Sequence, residues 1–290
     1  MPRDHRDDSV LISLSGDRAR RLLGLLRATD VLVGSRAGRA ALAEVAPAAA
    51  RLAPDAAVWG VVRAGAGDGW ELLAARGRRK VHVVGAGRLA GDLAETLTAA
   101  GVGRVPVLPE PAAGPPDLVV LVRAAAADSA AAERLLAADV PHLAVVVREA
   151  GLVVGPLVPP GGRPCLRCLD LHRTDRDPGW PHLLAQLPGR PTPADVGETA
   201  SSRLGAALAA LQVLAYLDGL ATDGPPSPAP ASVGATLEID LPDGLVSRRT
   251  WPVHPSCGCA RLGIRAAPGT PSEQGGPRST GSAGRPGRGE

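Results

Sequence analysis

From Lys80 onward, short β-branched apolar runs alternate with segments whose apolar residues recur at helical spacing. Val81-His82-Val83-Val84 reads as a strand that ends directly in Gly85-Ala86-Gly87. Leu89, Leu93, Leu97 and Ala100 then share one face of a helix, which Gly101 stops. Strands are predicted over Arg104 to Leu108, Asp117 to Val122, His142 to Val147 and Leu152 to Leu157, with a helix over Ser129 to Ala138. Alternating β and α elements of this kind give a Rossmann-like, mostly parallel sheet covered on both faces. Residues 158 to 198 are rich in Pro, Gly, Arg and Asp and read as a long irregular excursion. Ser201 to Leu217 is an apolar helix that should be largely buried, and Thr236 to Leu241 with Val246 to Trp251 form a hairpin around Pro242-Asp243-Gly244.

Residues 1 to 79 form a separate unit, a small α+β domain. Val10 to Leu14 is a candidate strand, and Ala19, Leu22, Leu23 and Leu26 make the stripe of an amphipathic helix. A second helix is predicted from Arg36 to Val45, stopped by Pro47. Trp59 to Arg63, the turn Gly65 to Gly69 and Trp70 to Leu73 read as a hairpin, so that helices followed by a hairpin suit a winged-helix module. The nucleotide-fold domain then spans residues 80 to 265. Residues 266 to 290 lack hydrophobic periodicity, are dominated by Gly, Pro, Ser and Arg, and read as a disordered tail.

Composition narrows the function classes. Only 2% of the 290 residues are aromatic, which leaves almost nothing on which nucleic-acid bases could stack. With 32 basic and 29 acidic residues there is no strong field of either sign, so neither a nucleic-acid nor a membrane partner is expected. No secretory signal is visible, and the longest apolar segment, around Ala206 to Leu217, is far short of the roughly 20 residues of a membrane span, which together point to the cytoplasm.

In a reducing compartment, cysteines are metal ligands or structural thiols more often than disulfides. Cys165-x-x-Cys168 and Cys257-x-Cys259 are two close pairs far apart in sequence, the spacing of a closed, structural, tetrahedral zinc site. The alternatives are four reduced thiols, or ligation in which His172 or His254 replaces a cysteine. Asp170-x-His172-Arg173-x-Asp175-Arg176-Asp177 nearby is either a docking segment or a solvated loop that pairs its own charges. His172 shows no acid and nucleophile partners, and no catalytic residue is assigned.

The run Gly85-Ala86-Gly87-Arg88-Leu89-Ala90-Gly91 is a glycine-rich strand-to-helix turn where backbone N–H groups could receive a phosphate. Its candidate cofactor-binding residues are Gly85, Gly87, Arg88 and Gly91. With Glu110 at the distance of a ribose-binding acid, a NAD-dependent oxidoreductase is one alternative, and a turn that binds nothing is another.

Taken in order, the glycine turn, the alternating β and α elements, Pro164-Cys165-Leu166-Arg167-Cys168-Leu169, the long apolar helix and His254-Pro255-Ser256-Cys257-Gly258-Cys259 resemble the ThiF/MoeB superfamily, the fold of ubiquitin-activating enzymes. The resemblance runs from about Lys80 to Gly263. Leu152 to Leu157 and Cys168 to Pro178 look most like an actinobacterial ThiF-like branch that includes the leader-peptide-binding partners of azoline-forming cyclodehydratases.

Active members of that family adenylate a protein C-terminus with ATP and magnesium. The resemblance also locates departures. The family motif is GxGGLG, whereas this turn places Arg88 where the family keeps bare backbone. The family's Asp after the second strand, its phosphate-binding Arg and Lys, and its later Asp have no counterparts here. The second strand runs into Pro109-Glu110-Pro111, the strand from Asp117 ends in Arg123 and four alanines, and Lys80, the one lysine, precedes the turn. Phosphoryl and adenylyl transfer need positioned cations. The resemblance therefore implies a zinc-bound scaffold that presents a leader peptide to a modifying enzyme and does not adenylate, unless Arg88, Arg104 or Arg123 substitutes. The alternative is an ATP-dependent adenylyltransferase acting on a carrier protein or peptide. A homodimer is the family's common assembly.

Overall fold

The computed structural model describes residues 16–28, 36–62, 69–110, 116–187, 197–220 and 228–260. Four helices come first: α1 (Gly16–Ala28), α2 (Arg36–Glu44), α3 (Ala49–Val62) and α4 (Trp70–Gly77). The hairpin expected around Gly65 to Gly69 is thus replaced by helix on both sides. Alanine-rich sequence from Ala46 carries α3 through Trp59, and α4 forms because its helical turn sets Leu73 against Leu52 and Ala56 in a small core. With those two segments helical, the described part of this unit holds no strand and no hairpin. Val10 to Leu14 and the tail from 266 lie outside the described residues.

The sheet has seven strands: β1 (Val81–Val84), β2 (Val107–Leu108), β3 (Leu118–Ala124), β4 (His142–Arg148), β5 (Gly151–Val158), β6 (Ala235–Asp240) and β7 (Leu245–Thr250), in the order β2-β1-β3-β4-β5-β6-β7. It is parallel through β4 and antiparallel from β5 onward. The near-continuous burial of β1, β3, β4 and β5 follows from their Val and Leu runs, because helices cover both faces.

On one face, α5 (Gly87–Ala99) and α9 (Thr199–Gly219) bury Leu89, Leu93, Leu97, Ala209, Val213 and Leu217 against Val83, Val120, Val145 and Val154. α9 runs for 21 residues, longer than its apolar stretch suggested, and is a core helix of this layer. Gly205 lets it approach closely, since a methyl group there would meet Leu152 Cδ1 at 2.6 Å. On the other face, α6 (Ser129–Ala137) packs Ala131, Ala132 and Leu135 on Val119, Leu121 and Ala144. The segment expected to be irregular instead holds α7 (Leu166–Arg176) and α8 (Trp180–Gln186). Of the charged run, Asp170, His172 and Arg173 are half-buried and Asp175 and Arg176 are exposed on α7, which buries Leu166, Cys168 and Leu169.

The N-terminal helices join the core through a buried ion pair. Arg76 of α4 is 1% exposed, and its Nε and Nη2 donate to Asp218 Oδ1 and Oδ2 of α9 at 2.8 and 2.6 Å. Its Nη1 also reaches the carbonyl of Ala100 at 3.3 Å, and the guanidinium lies 5.1 Å from the Trp59 ring centroid.

Candidate functional site

Cys165 caps α7 in an extended conformation, and the Cys168 N–H donates to its carbonyl at 3.0 Å, a tight turn that points both thiols the same way. The second pair follows β7, where the Cys257 N–H donates to His254 O and a single turn of 3-10 helix, Gly258–Ala260, carries Cys259. The two segments converge. Sγ of Cys165 lies 3.9 Å from Cys168 and 3.6 Å from Cys257, Cys168 lies 3.4 Å from Cys259, and all four sulfurs fall within 4.8 Å of one another. These separations are far beyond the ~2.05 Å of a disulfide. They match the edge of about 3.8 Å that a tetrahedron of sulfurs has around an ion bound at ~2.3 Å.

All four cysteines are buried. Hydrogen bonding from Cys165 holds the Cys168 thiol down to about 4, whereas Cys165 is pushed up by that same bond and by burial. Burial first, then the bond to Cys168, pushes Cys259 up to about 12. Sulfurs packed this closely in a dry site cannot all ionise without a cation among them. The chemistry of the set therefore fits a metal ion held by four cysteines.

The neighbouring histidines stand outside this set. His172 Nε2 donates to Pro252 O at 3.0 Å. His254 Nδ1 accepts the Ser256 N–H at 3.1 Å, which places its proton on Nε2, donated to Asp175 Oδ2 at 2.9 Å. That Asp–His pair ties α7 to the segment after β7 beside the cysteines. Trp251, also buried, donates Nε1–H to Thr236 Oγ1 at 3.0 Å and has Arg173, Arg176 and Arg249 at 5.9, 5.4 and 5.7 Å from its ring centroid. Sequence reasoning missed this second layer. Asp175 and His254 are 79 positions apart, and no local signal pairs them.

The glycine turn opens onto a cleft of about 530 Å³ at the carboxyl ends of β1 and β3, where the strand order reverses. Gly85 has φ of +151° and a Cβ there would collide with the Val122 carbonyl, so the turn requires glycine. Gly85 and Gly87 line the cleft together with Leu89, Val122, Ala124 and Val147. Gly91 and Arg88 are not part of that lining. Gly91 is one turn further along α5 with open space beside it, and Arg88 Nη1 donates to Thr199 Oγ1 at the start of α9.

Arg123 is the one charged side chain among the described lining residues, and three of its five N–H donors are used within the protein. Nη1 donates to Val84 O and Val122 O, both at 3.0 Å, and Nη2 to Asp128 Oδ2 at 3.1 Å. Lys80 and Arg104 face each other in a parallel bridge at the far end of β1, where Arg104 bonds the backbone of Arg79 and Val81. The described lining thus offers neither a lysine nor a carboxylate to hold magnesium and a triphosphate, and these residues do not fit Mg-ATP.

No protein-family model matches the sequence, and no curated protein matches it. Among solved structures, E. coli MccB with ATP superposes with a TM-score of 0.56 over 85% of this chain and 82% of that chain, at 13% identity. The microcin C7 biosynthetic enzyme MccB in complex with N-formylated MccA gives 0.56 over 85% and 83%, at 12% identity. The selenomethionine structure of PaaA gives 0.57 over 84% and 95%, at 14% identity. The chain shares the fold of MccB and PaaA. At these identities the likeness is one of fold. Within that fold, the four cysteines form a candidate metal centre and the glycine turn lines a cleft at the strand ends.

Proposed function

We propose that this chain is a ThiF-like scaffold that holds a structural zinc ion, does not adenylate, and binds a leader peptide that it presents to a partner modifying enzyme such as a cyclodehydratase. One observation carries the non-adenylating part: Arg123, the cation of the cleft, is bound to Val84 O, Val122 O and Asp128. Adenylyl transfer builds charge on phosphorus that only positioned cations relieve. The peptide part draws support from the fold, which this chain shares with an enzyme solved in complex with the peptide MccA.

Zinc would be held by Cys165, Cys168, Cys257 and Cys259, with no open position, and would supply a cross-link between the start of α7 and the segment after β7. The test is pyrophosphate exchange with ATP and magnesium, together with a pulldown from the native cytoplasm. The expected result is no exchange and recovery of a small peptide with a modifying enzyme. Recovery of neither would overturn the scaffold role.

A second reading is favoured by the ATP complex of MccB, which has this fold. In that case the chain is an adenylyltransferase acting on a carrier protein or peptide, and ATP binding should require magnesium and be abolished by Gly87→Asp.

A further inference from the structure

β7 is the last strand of the sheet, and every residue from Leu245 to Thr250 is exposed. The opposite edge, β2, is two residues long. Among the described residues β7 is therefore the long free edge, and the N-terminal helices present none. An edge strand leaves alternate N–H and C=O groups unpaired, a template for an added strand.

The side chains of β7 are graded along its length. Leu245 and Val246 begin it as exposed apolar residues, 72% and 47% accessible. Arg248 and Arg249 lie near its other end, before Thr250. Arg248 Nε donates to Ala231 O at 2.9 Å, which fixes its stem along the edge, and Arg249 lies 3.3 Å from Glu238. Arg176 of α7 extends the basic end, because it and Arg249 both lie against the Trp251 ring. Glu238 is the carboxylate paired with Arg249. The same arginines would repel the β7 of a second copy, so the charge pattern selects a different occupant.

We propose that β7 is the docking edge for an extended polypeptide segment, apolar at one end and acidic at the other, which adds to the sheet as a further strand. This rests on the peptide-binding function proposed above and names its site. Main-chain hydrogen bonds to β7 would supply affinity, contacts with Leu245 and Val246 would set the register, and Arg248, Arg249 and Arg176 would select acidic side chains.

The probe is a fluorescein-labelled decapeptide with a Val/Leu half and a Glu/Asp half, titrated into the full chain and followed by anisotropy. The expected result is saturable binding, weakened at least about tenfold by Arg248→Glu/Arg249→Glu. N-methylation of alternate peptide amides should weaken it to a similar degree. That peptide-side change leaves the protein untouched and keeps the test valid if the double variant misfolds. No binding, or an N-methylated peptide that binds as tightly as its parent, would overturn the site. A natural peptide captured equally by the wild type and the double variant would overturn β7 docking while leaving the peptide-binding function intact.

Discussion

The cysteine cluster and the glycine-turn cleft both begin from short motifs, and folding treats them differently. At the cysteines, two segments 92 positions apart bring every sulfur into one buried tetrahedral group, backed by the Asp175–His254 pair and by Trp251. At the glycine turn, the backbone shape is intact, but the arginines nearest to it are committed to the protein itself: Arg88 to Thr199, and Arg123 to two strand carbonyls and Asp128. A glycine turn of this kind is a packing solution as well as a possible cradle, so its shape alone does not carry a chemistry.

The sharpest way to break this contrast is to deny the cysteine cluster a metal ion. Cys165→Ser, or strong chelation of the whole chain, should abolish metal content and cost several kcal/mol of stability, because binding at a closed structural site is part of the folding free energy. Metal analysis paired with thermal melting checks it. An unchanged melting temperature in metal-free protein would reduce the cluster to four packed thiols.

Next in size is the joint between the helical unit and the core. Asp218→Ala leaves Arg76 charged and unpaired at 1% exposure, and should destabilise by about 3–5 kcal/mol in urea unfolding. Replacing both partners, Arg76→Met with Asp218→Leu, should restore most of that loss, since a buried pair swapped for apolar groups of similar volume is close to neutral.

A smaller effect follows from two buried histidines. Burial holds His142 below its ordinary value, and burial together with Lys80 and Arg104 lowers His82. A folded-state value below the unfolded 6.5 means that the unfolded chain takes up these protons first as pH falls. Stability should be fully present above about pH 6.5 and decline below it, a slope that His142→Leu should flatten in melts taken from pH 7.5 to 5.5.

The smallest expected change comes from the cleft. Arg88→Ala should alter stability by less than about 0.5 kcal/mol, because Arg88 is exposed and its one hydrogen bond there reaches an exposed threonine. A large loss would show that the Arg88–Thr199 contact holds α5 and α9 together.

The sheet was legible because its strands carry period and turn signals that do not depend on distant contacts. Val81 to Val84, the glycine turn and the stripe of Leu89, Leu93 and Leu97 are local features, and the structure has each of them where the pattern puts it. The N-terminal unit was not legible in the same way. Trp59 to Val62 and Trp70 to Leu73 are short apolar runs around glycines, compatible with either strand or helix. What decides between them is the contact of Leu73 with Leu52 and Ala56, which sequence cannot supply. The cysteines could be grouped from spacing alone, whereas the state of Arg123 could not. Its position at a strand end suits a phosphate, and only the structure reveals that Val84 O, Val122 O and Asp128 already hold it.

We propose that the cleft holds no nucleotide while a metal ion at the four cysteines keeps the scaffold whole. Calorimetric titration of the zinc-replete chain with ATP and magnesium tests it most directly. The account predicts no heat of binding up to millimolar ATP. Micromolar binding that requires magnesium and disappears in Gly87→Asp would contradict it and return the chain to the adenylating members of the fold.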